Sequence, residues 1–213
     1  MIVFEQLAVV ALEGPPGCAL FDLSGLPQSP QFLGYDDDDG FASVLGGALQ
    51  RRGDLLVGLL VAPNQVIPIT VDAQQQVTLG SALMLRDAGE VAPDAAGGAR
   101  GRVLLDGDIA FVSDPSSEVF VLDTTEAMQP RLLGQTAGIA SPQGMQRIGD
   151  RYLVVADAAN GVVLVDIDDR QRPTVLNLAR GGTSIELSVD APYVYSAGEF
   201  PIHVYKMFSA SEF

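Results

Sequence analysis

Apolar residues in this chain fall into short, nearly continuous blocks separated by polar turns, and no stretch shows the 3.6-residue spacing of an amphipathic helix. The clearest stretch is IGDRYLVVADAANGVVLVDIDDRQRPTVLN at 148–177. A first strand ends at the Gly149-Asp150 turn, where glycine can take positive φ. A second strand is expected over 152–156, a short loop over 157–161, and a third strand over 162–167. A polar turn closing on Pro173 then leads into a fourth strand over 174–178. Proline at a strand entry removes no ladder hydrogen bond. Blocks this apolar imply strands buried on both faces, and a four-stranded antiparallel meander is the element predicted.

The meander recurs. Residues 105–134, LDGDIAFVSDPSSEVFVLDTTEAMQPRLLG, superimpose on 148–177 without a gap, placing Asp114 on Asp157, Asp123 on Asp166 and Pro130 on Pro173. Weaker copies lie at 7–34, 53–80 and 189–206, making five units. A four-stranded sheet repeated every ~40–45 residues is the plan of a β-propeller blade. The expected fold is therefore an all-β propeller, one domain over 1–213 with five blades. Its first blade has little room for a first strand, and its last has only residues 207–213 for a fourth. The alternative is a partial propeller completed by another chain. Residues 81–101 break the pattern and are expected to form an exposed insertion loop.

GIASPQGMQRIGDRYLVVADAANGVVLVDIDDRQRPTVLN, at 138–177, resembles the LVIVD-repeat β-propellers, with LVDID at 164–168 as the core and weaker echoes in VLDTT at 121–125 and LFDLS at 20–24. The resemblance is specific over 102–206 and diffuse over 1–101. It implies a propeller scaffold in an extracytoplasmic setting (periplasmic, secreted or surface), and it carries no catalytic residues. The first residues, MIVFEQLAVVALEGPPG, show neither the basic start of a signal peptide nor an apolar run long enough to span a membrane.

Composition narrows the function. Twelve basic residues against 27 acidic ones give a net charge of −15, which disfavours nucleic acid and anionic lipid as partners. Cys18 and His203 are the sole residues of their types, so an intrachain disulfide, a cysteine zinc site and a two-histidine metal motif are all excluded. Cys18 reads as a small buried hydrophobe and His203 as a structural strand residue.

The loops expected to share one propeller face carry twelve acids and three bases. The candidate binding residues on this face are Asp36, Asp37, Asp38, Asp39, Asp87, Glu90, Glu118 and Glu199. Asp36 to Asp39, ending at Gly40, could supply oxygen ligands to calcium, or could form a solvated acidic loop. The EF-hand pattern fails there, with Tyr35 at its first position and Gly46 at its twelfth. Asp114, Asp157, Asp123 and Asp166 recur at repeat positions, which favours a structural role as turn-closing acceptors.

Three functional readings follow. The leading one is a non-catalytic scaffold presenting an acidic loop face to a protein partner or a multi-subunit assembly. The second is a calcium-dependent hydrolase of the lactonase kind, with Glu13, Asn64 and Asp157 in suitable loops. The third is a carbohydrate- or cell-surface-binding propeller, weakened by an aromatic content of 7%.

Overall fold

The computed structural model describes residues 2–4, 7–13, 16–23, 30–36, 44–86, 101–114, 118–179, 184–190, 193–198 and 202–206. Every regular element among them is a strand, and the strands pair in chain order. The first sheet comprises β1 (Ile2–Phe4), β2 (Leu7–Glu13), β3 (Pro16–Asp22) and β4 (Gln31–Asp36). The second comprises β5 (Gly46–Arg52), β6 (Leu55–Ala62), β7 (Gln65–Val71) and β8 (Val77–Leu79), with β9 (Leu83–Met84) also on β7. The third comprises β10 (Arg102–Asp106), β11 (Ile109–Asp114), β12 (Glu118–Asp123) and β13 (Arg131–Thr136). The fourth comprises β14 (Pro142–Ile148), β15 (Tyr152–Asp157), β16 (Gly161–Asp166) and β17 (Thr174–Ala179). The last has three described strands, β18 (Glu186–Asp190), β19 (Tyr193–Ala197) and β20 (His203–Lys206).

The four-stranded antiparallel meander expected from 148–177 is thus the recurring unit. The third strand of that stretch runs 161–166, one residue earlier than expected. Ile167 leaves the ladder, donating its N–H to the Arg151 carbonyl at 2.7 Å, yet stays buried. The tight turns at Gly53, Gly107 and Gly149 have φ of +60°, +57° and +55°, as the Gly-Asp dipeptides require.

The described start of the 81–101 stretch departs from an open loop. Strand β8 covers β7 only from Ile69 to Val71 and does not reach Gln65 and Val66. Leu83 and Met84 pair with those two residues, and the next residue, Leu85, is buried with its N–H on the Asn64 carbonyl. Residues 87–100 lie outside the described residues.

The chain divides into two compact units, and the division passes through the third sheet. The first unit holds Met1–Ala92, Leu105–Ala110 and Asp123–Arg131. Its core joins Leu7 of the first sheet to Leu49, Leu56, Leu60, Ile67 and Ile69 of the second. The second unit holds Pro93–Leu104, Phe111–Leu122 and Leu132–Phe213. There Ile148, Val154, Val162 and Leu164 of the fourth sheet pack with Val194 of the last. Strands β6, β15 and β16 are buried on both faces along nearly their whole length, which is why they read as continuous apolar blocks. Each Leu, Ile or Val so buried contributes about 1.5–3 kcal/mol.

Candidate functional site

The acids that recur in the repeat are held by their own turns. Asp157, at the end of β15, is fully buried. Its Oδ1 accepts the N–H groups of Ser141 at 3.1 Å and Ala159 at 2.9 Å. Its Oδ2 accepts the Ala140 N–H at 2.9 Å and the Asn160 side-chain amide at 3.0 Å. The Ala158 N–H returns to the Ser141 carbonyl at 2.9 Å. The side chain therefore closes the 157–161 loop and ties it to the connection that enters β14.

Asp166 and Asp123 close turns in the same way, accepting the N–H of Asp168 at 3.0 Å and of Thr125 at 2.9 Å. Arg151 adds Nε and Nη2 to Asp166 Oδ2 at 3.0 and 2.7 Å. Donation by this guanidinium, joined by the Asp168 N–H, holds the Asp166 carboxyl below the usual carboxylate range, and the pairing raises Arg151 in turn. The Thr125 hydroxyl and N–H likewise lower Asp123. The turn-acceptor role expected for these residues is what the geometry has at 123, 157 and 166. The side chain of Asp114 lies outside the described residues.

In the first unit Arg52 is the principal cross-strand clamp. Its Nη1 donates to the Thr124 carbonyl at 2.6 Å and lies 3.3 Å from Asp108 Oδ1, while Nη2 donates to Thr124 Oγ1 at 2.9 Å and to the Gly107 carbonyl. Gln50 Nε2 also donates to Gly107, at 2.7 Å. These groups border a shallow open cleft with Val57, Leu59 and Leu105. Their donors are committed to backbone carbonyls, the Thr124 hydroxyl and Asp108, so the cleft is a seam between strands.

Most of the acidic loop face falls elsewhere. Asp36 ends β4 opposite Cys18, but neither side chain is described. Asp37, Asp38, Asp39, Asp87, Glu90 and Glu199 lie outside the described residues. Glu118 begins β12, half-buried, 3.5 Å from the Gln135 side-chain amide. Glu13 ends β2, with its side chain also outside the described residues. Asn64 occupies the two-residue β6–β7 turn at φ +60°, and its buried Oδ1 has no hydrogen-bond partner among the described residues. His203 sits on β20 with its ring 6.0 Å from that of Tyr205, nearly parallel, and burial pushes the Tyr205 hydroxyl up.

Asp157 has no acceptor position to spare for a calcium ion. Both Asp157 oxygens already accept two hydrogen bonds each, the full capacity of a carboxylate. Among the described residues no group of three or more His, Cys, Asp or Glu side chains is placed to hold a metal ion.

The outer face of the last sheet escaped sequence reasoning. Its strands alternate between exposed and covered positions, whereas β15 and β16 do not. The period-two pattern of Tyr193-Val194-Tyr195-Ser196 was the available signal.

No family model and no curated protein matches the chain. Solved structures do. A protein from Lactobacillus plantarum is 16% identical with a TM-score of 0.74, over 99% of this chain and 67% of that one. A functionally unknown protein from Desulfotomaculum acetoxidans is 13% identical with a TM-score of 0.66, over 94% and 62%. The periplasmic gluconolactonase of Pseudomonas aeruginosa is 13% identical with a TM-score of 0.64, over 90% and 59%. The chain spans about two thirds of the length of these structures. At such identities the likeness establishes fold alone, and the fold is all-β and propeller-like. No helix among the described residues is long and apolar enough to cross a membrane.

Proposed function

We propose that the chain is a non-catalytic propeller scaffold of the LVIVD-repeat type, a single domain of five blade units, whose acidic loops receive a protein partner or the subunits of an assembly. The observation that carries this reading is the state of Asp157. Asp157, one of the acids considered for a metal-dependent site, has every acceptor position taken by its own framework. The repeat acids Asp123 and Asp166 are engaged likewise. The acids proposed to meet a partner are Asp36 to Asp39, Asp87, Glu90, Glu118 and Glu199. A periplasmic or surface location accords with the family resemblance and with the periplasmic neighbour. The test is co-purification of the tagged chain with its partner at low and high salt, followed by affinity measurement. Binding should weaken with salt and with the joint substitution Asp36→Asn, Asp37→Asn, Asp38→Asn and Asp39→Asn. Unchanged affinity after that substitution would falsify the acidic-loop reading.

The likeness to a gluconolactonase keeps a second reading in play, a calcium-dependent lactonase, for which Asn64 offers a buried carbonyl oxygen with no partner among the described residues. Calorimetric titration with calcium decides it. Heat of binding that disappears in an Asn64→Ala chain supports this reading, and no binding at millimolar calcium removes it.

A further inference from the structure

In the second unit the entries of β10, β14 and β18, each the first strand of its sheet, are joined in series. The Arg102 N–H, at the start of β10, donates to Ser113 Oγ at 3.0 Å, and that hydroxyl donates to the Gln143 carbonyl of β14 at 3.4 Å. The Gly144 N–H then donates to the Ile185 carbonyl, just before β18, at 2.9 Å. Ser113 and Gln143 are buried, so this seam is a fixed floor. Above it the Arg102 and Glu186 side chains join β10 to β18 across β14. They have room because β14 carries glycine there. A Cβ on Gly144 would stand 3.3 Å from Glu186 Oε2 and 2.9 Å from the Ile185 carbonyl oxygen.

This pairing is only half made. Nε and Nη2 form one edge of a guanidinium, spaced to donate in parallel to both oxygens of a carboxylate. Arg102 gives Nη2 to Glu186 Oε1, whereas its Nε is buried with no hydrogen-bond partner among the described residues. Buried donors left unmet are rare and costly. Glu186 does not meet this one. The Glu186 side chain is 55% exposed and can turn outward into water, and the Arg102 side chain, 34% exposed, is then within reach from outside.

We infer that the Nε–Nη2 edge of Arg102 is a binding site for a ligand carboxylate, and that Glu186 is the internal carboxylate the ligand displaces. A carboxylate entering in the plane of the guanidinium engages Nε and Nη2 together and meets the donor that Glu186 leaves unmet, while Glu186 regains water. The other groups of the seam, Ser113, Gln143, Gly144 and Ile185, are uncharged, so Glu186 is the local competitor. The net charge of −15 opposes an anion at long range, but physiological salt screens that field beyond about 8 Å. The ligand is a small free carboxylate or the C-terminal carboxylate of a peptide. The site is separate from the acidic loops and does not depend on their having a partner.

The experiment titrates the full, isotope-labelled chain with sodium acetate and with N-acetylated trialanine, replacing chloride at constant ionic strength, and follows the arginine Nε–H resonances by NMR. Arg102→Lys keeps the charge but loses the edge, so it identifies the Arg102 signal and serves as the control, with circular dichroism to verify folding. Glu186→Gln should bind acetate at least about tenfold more tightly than wild type, because a charge-assisted bond to Nη2 gives way to a neutral one. The Arg102 Nε–H should shift as it gains its acceptor. Adding Arg102→Lys to Glu186→Gln should cost at least about tenfold in affinity. Should that double variant fold poorly, wild type against Glu186→Gln decides alone. Tighter binding of the peptide than of acetate assigns the site to a chain terminus, and equal or weaker binding assigns it to a small carboxylate. The inference is overturned if the Arg102 Nε–H of Glu186→Gln responds to neither probe. Equal affinity of Glu186→Gln and wild type, or affinity unchanged by Arg102→Lys, overturns it as well.

Discussion

Asp157 accepts the backbone N–H of Ser141 at 3.1 Å across sixteen residues of chain, and the Ser141 carbonyl accepts the N–H of Ala158 in return. This reciprocal pair fixes the loop after β15 to the strand entry before β14. With Ala140, Ala159 and Asn160, four donors converge on one buried carboxylate. The substitution Asp157→Asn would keep the shape of the side chain but turn an amide NH2, itself a donor, toward one pair of these donors. Leaving buried donors unmet costs ~1–3 kcal/mol each. Asp157→Asn is therefore expected to destabilise the chain by about 3 kcal/mol or more, and Asp157→Ala by at least as much. A fall in melting temperature of about 6–12 °C by circular dichroism corresponds to that loss for a chain of this size.

Arg52 works through shape as much as charge. Its two terminal nitrogens reach the Thr124 carbonyl and hydroxyl, the Gly107 carbonyl and Asp108 together, which a planar fork can do and a single ammonium cannot. Arg52→Lys should accordingly cost about 1–2 kcal/mol despite conserving the charge. Urea unfolding would measure it. A neutral result would mean that the Asp108 ion pair, not the fork, is what matters.

Acid stability should carry the signature of Asp166. Its pKa when folded lies below the ordinary value of 3.8, chiefly because Arg151 donates to it. A carboxyl lowered on folding contributes stability that is complete above its unfolded pKa and is lost as pH falls through the folded one. Asp123, lowered by Thr125, acts in the same direction. Stability should hold near neutral pH and decline from about pH 5 downward, through and below 3.8. The decline should be shallower in Asp166→Asn, as denaturant midpoints measured across that range would reveal.

Much of this was legible in the residues, and for a physical reason. A strand buried on both faces must be apolar at every position, so LVVA and VVLVD declare themselves without any neighbour being known. Turns that need positive φ call for glycine, which marks Gly107 and Gly149. The Asx closures at Asp123, Asp157 and Asp166 are local and could be read from spacing. What lay hidden depends on distance along the chain. The donors from Ala140 and Ser141 to Asp157, and the fork of Arg52 on Thr124, join segments whose proximity only the fold creates. β9 was hidden because its place is defined by the shortness of β8, a property of the partner strand rather than of Leu83 and Met84. The acids of the loop face are legible as charge, but position is what would make them a site.

Two glycines of the second unit should respond unequally to substitution. At Gly134, in β13, an added Cβ would stand 2.5 Å from the Gln171 carbonyl oxygen and 2.6 Å from that of Arg170. Both are backbone atoms of the turn before β17, so relief requires the strand and the turn to part. At Gly149 nothing lies within 4 Å of a Cβ, and the sole constraint is a φ of +55°, which asparagine tolerates. Gly134→Ala is expected to cost about 2 kcal/mol or more, as overpacking does, and Gly149→Asn less than about 1 kcal/mol. Thermal melts of the two variants side by side would test the ordering.

Asn64 joins stability to the functional question. Pro63 and Asn64 make the whole connection between β6 and β7, and Ala62 pairs directly with Gln65. Proline suits the first turn position, and the second requires the positive φ that Asn64 adopts, where glycine would serve equally. The Asn64 side chain also buries an Oδ1 that no described group meets. Asn64→Gly removes that unmet acceptor while keeping the turn, so it should stabilise the chain by about 1 kcal/mol. Under the scaffold reading, this gain should be the same with and without calcium. Under the lactonase reading, wild type should gain stability from calcium while Asn64→Gly does not, so the order of the two proteins would narrow or reverse at millimolar calcium. Melting both proteins with calcium and with chelator separates the readings in one experiment.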